Sequence, residues 1–296
     1  MPQKQAGSNI DPNWNVDELK LCPESGRILA RYKILPDTEF YLDRCGHCNG
    51  IWFDKNEWDA LVEHNLHDNV NEFFTRPLRE GARPLDADPA AILSPADGKV
   101  EDAGAIDARG SFFIKGRPYA LHELLGCRGE AARLAGGQFV VVYLSPRDYH
   151  RVHAPVTGEV VRARHVGGTL FPVNRIGVEH VPKLFAKNER VVVVQDHPAM
   201  GEVVTILVGA LVVGGIGLAF DSSLVTREGA AGGETTYRAP RPSIPRGAEL
   251  GWFELGSTAI VVIPASARAE LAVTPGQPTR VGRAIAHARL GAVADA

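Results

Sequence analysis

Between Glu202 and Asp221 the chain runs for eighteen residues, Val203 to Phe220, without a charged side chain. That length meets the lower limit for a helix crossing a bilayer. The composition points elsewhere. Valine, isoleucine and threonine dominate, and glycines fall at 209, 214, 215 and 217. β-Branched residues favour the pleated backbone, while repeated glycines weaken a helix and mark bends in strands. The segment therefore reads as one or two strands buried on both faces and bent at glycines. A chain that buries such strands has to supply apolar layers on either side of them.

The remaining pattern is consistent with this. From Ala91 onward, strands are expected at 91–93, 98–103, 111–115, 138–144, 158–165, 190–195, 202–208, 210–216 and 258–263, with a short helix over Tyr119 to Leu125. No βαβ period is visible, so the expected fold class is α+β, mostly β: an antiparallel, sandwich-like domain with few helices. At 296 residues the chain has room for one large domain and a small one. A net charge of −3 gives no electrostatic case for nucleic acid as a partner. Met1 to Lys20 lacks an apolar core of signal-peptide length, so a cytoplasmic location is expected.

Residues 1–65 read as a separate module. Three of the four cysteines lie between Cys22 and Cys48. Cys22-Pro23 opens a turn, Ile28 to Leu42 alternates as a hairpin would, and Cys45-Gly-His-Cys48 makes a second turn. Asn49-Gly-Ile-Trp-Phe-Asp54 and a helical stretch from Lys55 to His64 follow. Paired cysteine turns on hairpins are how a zinc ribbon gathers thiolates around a metal. The module resembles the transcription-factor-type zinc ribbons, whose pattern is CPxC, a hairpin, then CxxCxGxWxD. Ser25 stands where that pattern has a cysteine, which leaves Cys22, Cys45 and Cys48 as metal ligands. His47, His64, His67 and water are open as a fourth. A degenerate ribbon that keeps its hairpins without metal is the alternative. Residues 66–92 follow as a charged helix and a Pro-rich connector, and residues 66–296 form the second domain.

Three turns in that domain carry chemistry. Ser94-Pro-Ala-Asp97-Gly98 presents a carboxylate. Asp148-Tyr-His150-Arg-Val-His153-Ala-Pro155 presents two histidines. Gly256-Ser257-Thr258 places a hydroxyl beside a glycyl carbonyl, directly before a β-branched run. A carboxylate, an imidazole and a hydroxyl from separate turns can form a relay that activates the hydroxyl. No GxSxG elbow, Walker loop or dinucleotide fingerprint is present, which leaves an ordinary serine hydrolase poorly supported.

The turns also belong to a longer series: NEFFTRPLRE, RPLDADP, SPADG, RDYHRVHAP, TLFPVN, LFAKNERV, LVGALVVGGI and RGAELGWFELGSTAIVV. Together these resemble the phosphatidylserine decarboxylase family from about Asn69 to the C-terminus. The resemblance implies a pyruvoyl enzyme that cuts itself between Gly256 and Ser257. The products would be a β chain, 1–256, and an α chain beginning at 257. Asp97, His153 and Ser257 would form the relay, with His153 oriented by Asp97. Ser257 would become the pyruvoyl group that forms a Schiff base with the substrate amine. His150 would assist decarboxylation or reprotonation, while His165 and His180 read as structural or surface residues.

Phosphatidylserine in the membrane would be the substrate, and phosphatidylethanolamine and CO2 the products. The two chains of one precursor would be partners, and a homo-oligomer is compatible with the pattern. The implied place is the cytoplasmic side of the membrane, peripherally bound, with Phe73, Phe74, Arg76 and Arg79 as a candidate interfacial patch. A non-catalytic, ribbon-containing binding protein on the same fold is the competing reading.

Overall fold

The computed structural model describes residues 20–22, 26–33, 41–45, 51–52, 75–145, 148–173, 175–210, 215–224, 226, 232–253 and 257–289. The chain divides into two compact units, Met1–Phe73 and Phe74–Ala296. In the first, β1 (Ala30–Lys33), β2 (Tyr41–Arg44) and β3 (Ile51–Trp52) form an antiparallel sheet in that order. The Cys22 carbonyl accepts the Gly26 N–H at 2.8 Å, and the Cys22 N–H donates to the Arg27 carbonyl at 2.7 Å. This tight turn, unlike an extended chain, carries Cys22 into a buried cluster with Leu29 and Cys45. Ser25, Cys48, His47, His64, His67, the helix expected over 55–64 and the 65/66 boundary lie outside the described residues. Among the described residues no three metal-capable side chains converge.

The second unit contains β4 (Ala91–Leu93), β5 (Gly98–Ala105), β6 (Ser111–Ile114), β7 (Arg117–Ala120), α1 (Leu121–Leu125), α2 (Arg128–Leu134) and β8 (Gln138–Leu144). Next come β9 (Arg151–His153), β10 (Gly158–Val166), α3 (Arg175–His180), α4 (Leu184–Lys187), β11 (Arg190–His197), β12 (Gly201–Val208) and β13 (Ile216–Leu218). The last are β14 (Gly233–Thr236), β15 (Ser243–Ile244), β16 (Glu249–Phe253), β17 (Ser257–Ile263), β18 (Glu270–Leu271), β19 (Pro278–Thr279) and β20 (Ala284–His287). The mostly β, antiparallel architecture expected from the pattern is present.

One nine-stranded sheet organises this unit, in the order β14-β10-β11-β12-β17-β8-β5-β19, with β15 also on β10. Its central strands are apolar on both faces, and the two faces feed different cores. Val140, Val142, Val191, Val193, Ala259 and Val261 pack into one. Their neighbours Val141, Tyr143, Val192, Val194, Ile260 and Val262 pack into the other. The period of two along each strand separates them. Helices α1, α2 and α4 and the β6–β7 hairpin cover the second face through Leu124, Leu134, Phe185 and Phe112. The first face is covered by further strands, through Ile92, Val152, Ile216, Leu250 and Ile285. Burial on both sides explains why these strands read as continuous apolar runs although their pairing is antiparallel.

The uncharged run resolves as β12, then a break, then β13. The strand expected at 210–216 is limited in the described residues to its last position, and 211–214 lie outside them. Among the described residues no helix is long and apolar enough to cross a membrane. The helix expected from Tyr119 starts at Leu121, because Arg117–Ala120 pairs with Ser111–Ile114 as the second arm of a hairpin. A cross-strand ladder overrides local helix propensity there.

Candidate active site

The three chemical turns meet at one end of the central sheet through backbone pairing. The His153 N–H donates to the Pro95 carbonyl at 2.7 Å, which fastens β9 to the Ser94–Gly98 turn. β9 also pairs with β16, with Glu249 opposite His153 and Trp252 opposite Arg151. The Phe253 N–H donates to the His150 carbonyl at 3.0 Å. Four residues later β17 begins at Ser257, whose backbone partner is Leu144 at the end of β8. On the other edge of β8, Gly98 and Lys99 of β5 lie against Tyr143. A Cβ at Gly98 would stand 2.1 Å from the Tyr143 carbonyl oxygen, so only glycine permits that approach. Asp97 and Ser257 thus flank β8 at the same end, two strand spacings apart, or about 10 Å.

The side chains make a tighter group than the turns alone suggest. Asp97 is 7% exposed and accepts Arg83 Nε at 2.9 Å on Oδ1 and 3.0 Å on Oδ2, with a further contact from the second guanidinium nitrogen. Asp97 Oδ1 also accepts the Val281 N–H at 2.9 Å. His153 donates from Nδ1 to the Gly247 carbonyl at 2.7 Å, so its Nε2 accepts from the Tyr149 hydroxyl at 2.9 Å. Gly247 itself sits at φ +77°, where a Cβ would meet Leu85 at 2.6 Å. Arg151 holds both oxygens of Glu249 at 2.9 and 2.7 Å and donates to the Thr75 carbonyl at 2.7 Å. His150 is fully buried, with Nδ1 donating to the Asp148 carbonyl at 2.8 Å.

Burial sets the protonation states. It pushes His150 down to about 4, against a weaker upward pull from the Asp148 carbonyl. Burial also lowers His153, although the Gly247 carbonyl, Glu249 and Asp97 act in the opposite sense. Burial, seconded by the charge of Glu249, raises Tyr149 far above a free phenol. Both histidines are therefore neutral near pH 7, and Tyr149 keeps its proton.

The expected residues are brought together with one difference. Among the described residues Asp97 makes no hydrogen bond to His153; Arg83 and the backbone at Val281 hold it, and a glycyl carbonyl takes the imidazole N–H. Gly256 and the side chain of Ser257 lie outside the described residues, as do Phe73 and Phe74. His165 pairs with Glu189 at 2.7 Å in a buried contact, and His180 is exposed. Sequence reasoning missed Tyr149, Arg83 and Gly247 as site residues. Their signals were present: Tyr149 precedes His153 by four residues inside RDYHRVHAP, and Arg83 opens RPLDADP.

Comparison with known proteins identifies the family. The family model described as phosphatidylserine decarboxylase matches residues 70–287. The chain belongs to the phosphatidylserine decarboxylase family. A phosphatidylserine decarboxylase proenzyme of Ectopseudomonas mendocina is 42% identical over 249 residues, covering 81% of this chain and 86% of the relative. One from Bordetella avium is 48% identical over 207 residues, 69% of this chain and 70% of its own length. A third, from Pseudomonas putida, is 43% identical over 253 residues, with 80% and 85% covered. The family and the relatives' names make this chain an enzyme of the phosphatidylserine decarboxylase type. A model described as transcription factor zinc-finger matches residues 22–64, the region of the ribbon.

Proposed function

We propose that this decarboxylase is made as a precursor that cuts its own chain between Gly256 and Ser257 and then acts through a pyruvoyl group formed from Ser257. The observation that carries this reading is the convergence of three distant turns. The His153-to-Pro95 bond and the β9–β16–β17 connection hold Asp97, His153 and position 257 at one end of the sheet. The relatives' description as proenzymes supports a processed chain.

In this reading His153 takes the Ser257 hydroxyl proton at Nε2, the nitrogen opposite its bond to Gly247. The freed oxygen attacks the Gly256 carbonyl carbon and the Gly256–Ser257 C–N bond breaks, with the proton passing to the departing nitrogen. The amide becomes an ester. Removal of the α-proton of residue 257 then expels the Gly256 carboxylate, and addition of water with loss of ammonia leaves the pyruvoyl end. The negative charges of Asp97 and Glu249 favour a cationic His153 at each transfer.

The residues present fit a carbonyl group at position 257. It would stand at the head of β17, held by the ladder to Leu144. His150, buried and neutral, keeps its ring proton on Nδ1, so Nε2 is the atom through which it would take and give a proton. When formed, the pyruvoyl carbonyl supplies the electron sink for the pair left behind by departing CO2. With its Nδ1–H held by the Asp148 carbonyl, His150 would first take at Nε2 a proton given up by the substrate ammonium and then pass it to the substrate α-carbon, completing phosphatidylethanolamine. The enzyme would meet this lipid at the cytoplasmic surface of the bilayer as a peripheral protein. In the first unit a zinc ion would be held by the thiolates of Cys22, Cys45 and Cys48. The two described members of that set share one buried cluster, which suits such a role.

The intact mass of the purified full chain tests the maturation step. A 1–256 fragment and a short fragment with a blocked N-terminus at position 257 are expected. A single uncut chain with decarboxylase activity would overturn the reading.

A further inference from the structure

Phosphatidylserine sits in bilayers, so an enzyme that acts on it needs a surface that meets a membrane. We propose that the tip of the β6–β7 hairpin is such a surface. Phe113 and Pro118 enter the headgroup region of a bilayer containing phosphatidylserine, and the cations beside them engage its anionic lipids. This rests on the reading of the enzyme as a peripheral membrane protein.

The hairpin has two unlike faces. Phe112, Ile114 and Tyr119 turn inward and join the core beneath the helices. Phe113 stands between two of them and, by the alternation of a strand, turns out. It is 62% exposed, more than any other large apolar side chain described in this unit. Its cross-strand partner Pro118 is exposed too, so the two rings lie side by side on the outer face. Lys115 at φ +51° and Gly116 at φ +72° close the hairpin as a two-residue turn, with Ile114 opposite Arg117. The tight turn makes the tip a stiff projection. An exposed aromatic ring there gains by leaving water, and a backbone already ordered loses little freedom when it docks.

Place and charge point to the same occupant. The base of the hairpin is tied beyond the end of β5, where the Asp107 N–H donates to the Ser111 carbonyl at 2.9 Å. Its tip folds back over β5, where the Lys115 N–H donates to Asp102 Oδ2 at 2.6 Å. Asp102 is about 13 Å along the strand from Gly98, at the catalytic end of the sheet. The tip is thus the part of the hairpin nearest the site that the lipid headgroup has to reach. Cations stand at this tip. Lys99 and Lys115, both exposed, share the one carboxylate of Glu101 at 3.4 and 3.2 Å. Arg117 donates to a backbone carbonyl, that of Glu179, while Asp102 is taken up by the N–H groups of Ala103 and Lys115. Long cationic side chains beside an apolar wedge suit a bilayer surface, because their stems lie along the acyl boundary while the charges stay among lipid phosphates and carboxylates.

Phe113→Ser in the full chain tests the assignment, since an exposed side chain can be changed without unfolding the core. Flotation with vesicles of phosphatidylcholine and phosphatidylserine should show partitioning reduced about tenfold or more. Lys115→Gln should give a smaller loss, which disappears at high salt. Turnover of phosphatidylserine in vesicles should fall with Phe113→Ser, while turnover of a short-chain phosphatidylserine below its micellar concentration stays unchanged. Equal losses on both substrates would mean that the variant damages the fold or the chemistry, and would overturn the assignment. Wild-type protein that floats with vesicles, joined by a Phe113→Ser variant that floats equally well, would sink it alone and leave the surface to a protein partner. Wild-type protein that does not float at all would remove the peripheral reading and this docking surface together.

Discussion

Two buried polar clusters in the decarboxylase unit use nearly the same residue types for opposite ends. On the helix-covered side of the central sheet, Glu130 of α2 is 2% exposed and accepts Arg162 at 2.7 Å and Arg164 at 2.8 and 3.1 Å. Arg162 reaches on to Glu202 at 2.6 Å, and Arg164 reaches Glu234 and the Leu125 carbonyl. Burial alone would raise the Glu130 carboxyl, but the two guanidinium groups outweigh it and hold it below its usual range. Every charge there has an opposite charge in contact. At the strand-covered end, Arg83–Asp97 and Arg151–Glu249 are likewise paired, yet between them stand His153, Tyr149 and His150, none of them charged near neutrality. The first cluster has nothing left to exchange. The second sets neutral imidazoles, which can take up and release protons, beside paired charges.

That contrast can be broken in order of size. Glu130→Gln removes the shared acceptor of two buried arginines and should cost about 3–5 kcal/mol of unfolding free energy. Denaturant melts of the full chain would measure it. Cleavage at Gly256–Ser257, in protein that remains folded, should be unaffected. A cleavage defect in folded protein would mean that the two clusters are coupled.

The next effect comes from His150. Its folded pKa, about 4, lies below the ordinary 6.5, so the unfolded chain binds the extra proton first as pH falls. Stability from keeping it neutral is fully present above about 6.5 and is lost as pH drops toward 4. The 2.5-unit gap corresponds to roughly 3 kcal/mol. His150→Asn should flatten the stability–pH curve across that window, and an unchanged slope would show that the acid sensitivity arises elsewhere.

The smallest effect belongs to a third kind of pair. Arg289 and Glu270 meet at 3.2 Å with both side chains 74% exposed. Arg289→Ala should change stability by about 0.5 kcal/mol or less, and even that should vanish in high salt. A loss comparable with that of Glu130→Gln would undo the distinction between buried and exposed pairing.

Much of the fold was readable from local pattern. Strands at 91–93 and 138–144 match their expected bounds, and those near 98, 158, 190, 202 and 258 differ only at their ends. These are long or fully apolar segments whose own residues dictate a buried strand. The strands that escaped are short. β9, β15, β18 and β19 have two or three residues each, too few for any period, and they exist because a partner strand binds them. β16 was hidden for another reason: Leu250, Gly251 and Phe253 are all buried, so the segment shows no alternation.

The site divides along the same line. The series of motifs determined the family, the turns that carry Asp97, His150, His153 and Ser257, and the ribbon-like start of the chain, because each is a property of neighbouring residues. Only the tertiary structure decided that Arg83 rather than His153 holds Asp97, and that Gly247 and Tyr149 hold His153. Those partners lie 14 residues from Asp97 and 94 and 4 residues from His153. A hydrogen bond is made over about 3 Å in space, and separation along the chain carries almost no information about it.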